Sequence, residues 1–377
     1  MTRKLVTIRT VSALDPIPGA DIIEVATVDG WQCVVKKGEF TVGEKGLYFE
    51  IDSFLPSTDE RFKFLEKTFT NFNKQYGARV RTIRLRKQVS QGLLLPLSMF
   101  PEVKPGVFGW DADFADLLKV TKWEREEPAF ISNQSSPRTG LGRLIKKLSW
   151  MYFKGPIKYL ETKFPKLFFN RRTNTFPDFI PKTDEDRIQN IIGRTDFADD
   201  MYEATIKLDG SSLTMYRNNK EFGVCSRNYD LAKDPTNQFW AMAIKYDVEQ
   251  ALKELGRNIA LQGELMGPGV QGNREGLPCL DWYIFKVWDI NKKRYYTLEE
   301  KKSLMALLAM FGCNLKVAPS LGTYSLLYSF ETIADYLKFA EGHSLKSKTR
   351  EGVVFCNVDG TKSFKVISNS YLLKEDN

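Results

Sequence analysis

Residues 204–216, ATIKLDGSSLTMY, commit the second half of this chain to antiparallel sheet. Ala204, Ile206 and Leu208 alternate with Thr205, Lys207 and Asp209, the period of a β-strand. Asp209-Gly210 then signals a turn, and an apolar-rich stretch resumes at Leu213. Comparable runs place strands at 202–209, 213–218, 222–227, 259–265, 283–289, 352–357 and 363–367. Helices fall between them without a regular rhythm. Asp234-Pro235 opens TNQFWAMAIKYDVEQALKEL, which ends at Gly256, and FETIADYLKFAE ends at Gly342. Thr297 and Glu300 make a capping box for LEEKKSLMALLAMF, closed by Gly312. Pro181 followed by Thr183-Asp184-Glu185-Asp186 predicts one more capped helix start. Strands and helices mixed without βα alternation predict an α+β fold, antiparallel sheets flanked by helices.

The first 120 or so residues read differently. LVTIRTV, IIEVATV, WQCVVKKG, KGLYFEI, RVRTIRLR and GLLLPL are short strand-like runs with turns between them, the pattern of a small β-barrel. In RVRTIRLR, Arg79, Arg81, Ile83 and Leu85 fall on one face, so neither face is cleanly apolar and the arginines serve phosphate or solvent. The chain therefore divides into a barrel at 1–125, a linker or insert at 126–175, and a second domain at 176–377. Within the insert, residues 136–172 carry ten lysines and arginines and seven aromatics against the single acid Glu161. Such a stretch suits a nucleic-acid backbone, a membrane surface, a partner protein, or two short helices packed on a domain.

Charge and cysteine usage narrow the chemistry. Lysine and arginine exceed aspartate and glutamate by 55 to 47, a net +8 that favours a polyanionic partner. The five cysteines form no CxxC pair and suit a reducing compartment, cytoplasm or nucleus. His343 is the only histidine, which argues against His-rich metal sites and Ser-His or Cys-His catalysis. Nowhere do 18 apolar residues run together, so no membrane span and no secretion are expected. Carboxylates and lysines must carry any catalysis.

Such residues recur in order through the second domain. After Lys207-x-Asp209-Gly210 come Arg227 in VCSRN, Glu264 in ALQGELMGPGVQGNRE, the aromatic strand YIFKVWDI, Glu351 in REGVVFC, and Lys362 and Lys365 in KSFKVIS. This series, over residues 203–368, resembles the covalent nucleotidyltransferases: ATP-dependent DNA ligases, RNA ligases and capping guanylyltransferases. The resemblance implies that Lys207 attacks the α-phosphate of ATP and becomes lysyl-AMP, with Mg²⁺ or Mn²⁺ as metal. A lysine amine needs nearby positive charge and partial desolvation to lower its pKa before it can attack. The metal and Lys365 would do both, while stabilising the phosphorus centre. Asp209, Glu264 and Glu351 would serve the metal, Asp209 through its water shell. Arg227 and Glu264 would contact ribose and phosphate, and Lys362 would be a second phosphate lysine. Phe285 would stack on adenine in competition with Trp288, which strict alternation puts on the opposite side of the strand.

Within the superfamily, Ser212 stands where DNA ligases carry arginine. Too few residues follow Lys365 for the downstream barrel of DNA ligases and capping enzymes. An OB-like barrel placed first resembles the Deinococcus/Naegleria-type RNA ligases. The implied reaction is ATP-dependent sealing of 3′-OH and 5′-phosphate RNA ends, in a nicked duplex or RNA/DNA hybrid, by a monomer. Another covalent nucleotidyltransferase, or a binding protein on a ligase-like core, stands as the alternative. The basic aromatic insert departs from the family pattern. So does Ile367, where many relatives place a second lysine.

Overall fold

The computed structural model describes residues 3–110, 112–124, 174–191, 197 and 200–375. The basic aromatic stretch 136–172 lies outside them. The first domain is built on the long strand Val6–Pro16, whose first half pairs with Lys45–Phe49 and whose second half pairs with Ile23–Val28. An irregularity between Val11 and Ala13 bends that strand, the device by which a sheet curls into a barrel. Leu93–Pro96 and Trp31–Lys36 complete a five-stranded antiparallel sheet. A four-stranded sheet, Thr121–Lys122, Ser53–Pro56, Gln75–Arg79 and Thr70–Phe72, packs against it. Phe49, Phe62 and Phe100 fill the space between them, all fully buried. The run RVRTIRLR is not one strand. It breaks after Arg79, and Thr82–Leu85 turns back on Gln88–Gln91 as a separate hairpin.

Two sheets form the second domain. The larger centres on Ser211–Asn218, Ile259–Met266 and Asp281–Asp289. Leu213, Leu261, Leu265, Trp282 and Ile284 project from one face into a core shared with the helices Gln238–Lys245, Val248–Leu255 and Leu298–Met310. The smaller sheet runs Asp186–Arg187, Ser363–Ile367, Gly352–Asn357, Met201–Lys207, Ser320–Ser325. Its outer face carries Tyr202, Phe355 and Phe364 against the helix Ile333–Ala340. The Thr297–Glu300 capping box forms as the sequence predicts, and Thr332–Asp335 makes another.

Two expectations fail for local reasons. The helix expected from Asp234 to Gly256 is two, because Asp247 takes a left-handed conformation (φ 48°) that an α-helix does not accommodate. No helix starts at Thr183. Residues 181–185 form neither helix nor strand, and Asp184 and Glu185 pair with lysines and an arginine of the cavity described next.

Candidate active site

The remaining faces of the two sheets meet the barrel around a cavity of about 430 Å³, lined from both domains. Lys207 ends its strand directly opposite Gly352, which brings Glu351 within reach: Nζ stands 2.7 Å from Oε2. On its other side Gly352 faces the strand Ser363–Ile367, where a Cβ would lie 2.1 Å from the Val366 carbonyl oxygen, so that close approach requires glycine. Glu264 comes from the larger sheet, opposite Ser212. Asp209 sits just past the Lys207 strand, and its carboxylate accepts from Arg274 Nη1 (2.9 Å) and from the Tyr371 hydroxyl (2.7 Å). Arg227, Phe285 and Lys365 also line the cavity. Thus seven of the eight residues singled out in the sequence converge here.

Lys362 does not. Its ammonium pairs with Asp200 at 2.7 Å, away from the cavity lining. The lysine that takes such a place is Lys286, which sequence reading passed over. The reason is a bulge. Gln262 faces Lys286 while the next residue, Gly263, faces Ile284, which leaves Phe285 as the extra residue of its strand. Phe285 and Lys286, adjacent in sequence, therefore both line the cavity. The bulge also overturns the expectation that Phe285 and Trp288 face opposite ways. Trp288 stands opposite Ala260, on the same sheet face as Lys286 opposite Gln262. It lies farther along, where its indole N–H donates to the Phe179 carbonyl and its ring meets Tyr295 edge-on. Only Phe285 reaches the cavity.

The charges are arranged in two groups. Around Lys207 stand the carboxylates Glu351, Glu264 and Asp209. Burial works against the ammonium, but these three outweigh it and hold the Lys207 pKa raised. The expected lowering is thus not what the protein groups produce by themselves. Burial, then the negative charge of Glu351 and Asp209, push Glu264 up to about 8 against the pull of Lys207. Glu351 is raised too, chiefly by burial. Across the cavity the cations dominate. Lys365 is pushed down to about 8 by burial and by Lys207, with Asp184 opposing. Asp184 lies 3.0 Å from Lys122, 3.3 Å from Lys365 and 3.7 Å from Arg227, so three cations from three separate elements gather on one carboxylate. The barrel adds Arg3 and Arg79, each paired with Asp52.

Among the described residues no three acidic, histidine or cysteine side chains converge closely enough to chelate a metal directly. Asp209, Glu264 and Glu351 instead surround the Lys207 ammonium, an all-oxygen set suited to a Mg²⁺ or Mn²⁺ ion that keeps most of its waters. The arrangement as a whole sets a lysine among three carboxylates and faces them with a cationic wall fit for phosphates.

Comparison with known proteins agrees. A family model described as an OB-fold domain matches residues 5–97, and one described as RNA ligase matches residues 200–367. The structure of Naegleria gruberi RNA ligase with PPi is 40% identical, covers 100% of this chain and 100% of that one, and superposes with a TM-score of 0.82. A mutant of that enzyme with ATP and Mn is 38% identical over 99% of both chains, TM-score 0.82. Another mutant, with AMP and Mn, is 39% identical over 100% of this chain and 99% of that one, again at 0.82. No curated protein gives a significant match.

Proposed function

The chain belongs to the ATP-dependent RNA ligases, and we propose that it seals 3′-OH and 5′-phosphate ends through lysyl-AMP on Lys207. The observation that carries this reading is the placement of Lys207 between three carboxylates on one side and Lys365 with Lys286 on the other. Attack on the α-phosphate requires the neutral amine, and Glu351, Glu264 and Asp209 disfavour that form. A divalent cation held by the same carboxylates would supply the positive charge that releases the lysine proton and offsets charge at the α-phosphorus. Lys365 and Lys286 face the phosphates, Arg227 contacts ribose or phosphate, and Phe285 stacks on adenine. Arg3, Arg79 and Lys122 of the barrel receive the departing pyrophosphate. The AMP then passes to a 5′-phosphate end, and a 3′-hydroxyl displaces it.

We take a monomer as the working unit. Among the described residues no helix is long and apolar enough to cross a membrane, and all five cysteines are free thiols. The free thiols support a reducing setting, cytoplasm or nucleus. The natural substrate form is taken to be a nicked duplex or RNA/DNA hybrid. Sealing assays with ATP or GTP, on nicked duplexes and single strands carrying RNA or DNA at the break, test the reading. Sealing of RNA-ended nicks with ATP is expected. Equal or better sealing of free single strands, or of DNA-ended nicks, would overturn the substrate assignment.

Tyr371 and Arg274 are assigned a positioning role, since they fix the Asp209 carboxylate and also meet each other at 2.8 Å. Tyr371→Phe removes the hydroxyl's hydrogen bonds to two charged groups, Asp209 and Arg274. It is expected to slow lysyl-AMP formation about tenfold, with the deficit shrinking as Mg²⁺ is raised. A loss of equal size at every Mg²⁺ concentration would show that Tyr371 does not act through Asp209.

A further inference from the structure

The hairpin formed by Thr82–Leu85 and Gln88–Gln91 is not used by the chemistry described above. Its two-residue turn is Arg86-Lys87, and both residues adopt left-handed backbone conformations, φ 49° and 72°. That turn type favours Asn or Asp at its first position and Gly at its second. The three other two-residue hairpin turns among the described residues obey the preference at the first position: Asp29-Gly30, Asn73-Lys74 and Asn219-Lys220. Arg86 alone departs from it, since lysine also stands second in Asn73-Lys74 and Asn219-Lys220, and a long arginine kept at a left-handed first position points to a use for what it displays.

What is displayed is a basic finger. Arg81, Arg84, Arg86 and Lys87 are all exposed, and between them the apolar Ile83 and Leu85 are 43% and 38% exposed. Other arginines of the barrel are matched by carboxylates: Arg3 by Glu50, Arg9 by Asp29, Arg61 by Asp59 and Arg79 by Asp52. Arg84, Arg86 and Lys87 make no ion pair with any described residue. The finger is nevertheless held firmly at its base. Ser90 Oγ accepts from the Val34 N–H, Gln88 reaches Gln32, and Gln91 Nε2 donates to Asn369 Oδ1 at 2.9 Å. Asn369 begins the helix that carries Tyr371, the residue hydrogen-bonded to Asp209. The base of the finger is therefore linked directly to the helix that supports the active site.

We propose that the hairpin Thr82–Gln91 grips the phosphate backbone of the RNA beside the break, with Arg84, Arg86 and Lys87 as the contacts. The assignment rests on the RNA ligase reading and adds where the polymer is held. Backbone contacts of this kind carry affinity without base preference, and each phosphate neutralised steepens the salt dependence of binding by about 0.9 in a log–log plot for a duplex.

Two variants test it. In Arg84→Ala/Arg86→Ala/Lys87→Ala, lysyl-AMP formation from ATP is expected to stay within about twofold of wild type. Binding of a nicked RNA duplex by the adenylylated protein should weaken at least tenfold, and the log–log salt slope should fall by about 2 to 3. In Arg86→Asn/Lys87→Gly the turn acquires the residues it favours, so the melting temperature should rise while RNA affinity still falls. Unchanged affinity and salt slope in both variants would overturn the proposal, as would a loss of lysyl-AMP equal to the loss of RNA binding. A wild-type protein that forms no lysyl-AMP would instead refute the ligase reading, so the two failures are distinguishable.

Discussion

Lys207→Ala is expected to take no label from α-labelled ATP and to leave ordinary 5′-phosphate ends unsealed, a loss of more than about 10³-fold. The same variant should still join an RNA strand that already carries AMP on its 5′ end. Nothing in that last step needs the amine, since the 3′-hydroxyl attacks the strand's own phosphate and AMP leaves. The remaining apparatus, Glu351, Glu264, Asp209 and Lys365, is intact in the variant. Removing the ammonium takes away the cation that lies 2.7 Å from Glu351, so metal binding should strengthen rather than vanish. A denaturing gel for the protein label and a joining assay with pre-adenylylated RNA decide the matter. Retained label on Lys207→Ala would place the nucleophile elsewhere. Loss of joining with pre-adenylylated RNA, in protein shown to be folded, would mean that Lys207 contributes more than a bond to AMP.

Which parts of this site can be read from sequence follows from how each part is made. Lys207, Asp209 and Glu351 stand at or beside strand ends, and Glu264 and Lys365 lie within strands that their own apolar runs announce, so linear order leads to spatial neighbours. Capping residues mark the helix Leu298–Met310 in the same local way. Lys286 escapes because alternation predicts that it points away from Phe285, and a bulge set by the register of the neighbouring strand reverses that. Lys362 misleads for a related reason. It precedes the strand Ser363–Ile367 and turns to Asp200 instead of following Lys365 inward. Asp184 and Glu185 look like the acidic first turn of a helix, yet the lysines that pair with them come from elements 62 to 181 residues away in sequence. Tyr371 and Arg274 carry no local mark, because their meaning lies in a triangle with Asp209 closed only by the packing of the final helix on the barrel, where Leu372 joins Trp31 and Tyr48 in one core.

Glu264→Gln is expected to make the metal-free protein more stable at pH 8 and to cost it at least about 100-fold in lysyl-AMP formation, because stability and catalysis ask opposite things of this carboxyl. Its pKa is about 8, against 4.5 for an ordinary glutamate, because of burial and the charges of Glu351 and Asp209. Between those two values the native state holds a proton that the unfolded chain has already lost. Stability therefore falls as pH rises from about 5 to 8, by at most about 1.4 kcal/mol per pH unit from this group alone. The raised Glu351 acts in the same direction. Lys365 acts above that window: with its pKa lowered to about 8 from 10.5, it makes stability rise as pH climbs beyond 8. A divalent ion competes with the proton for Glu264, so Mg²⁺ should raise the melting temperature of wild type more at pH 8 than at pH 6. In the glutamine variant the slope between pH 5 and 8 should flatten and the pH-dependent part of the Mg²⁺ effect should shrink. Thermal melts of both proteins across this range, with and without Mg²⁺, give the answer. Parallel curves would mean that Glu264 is already ionised at neutral pH and that the charge balance around Lys207 is set by other groups.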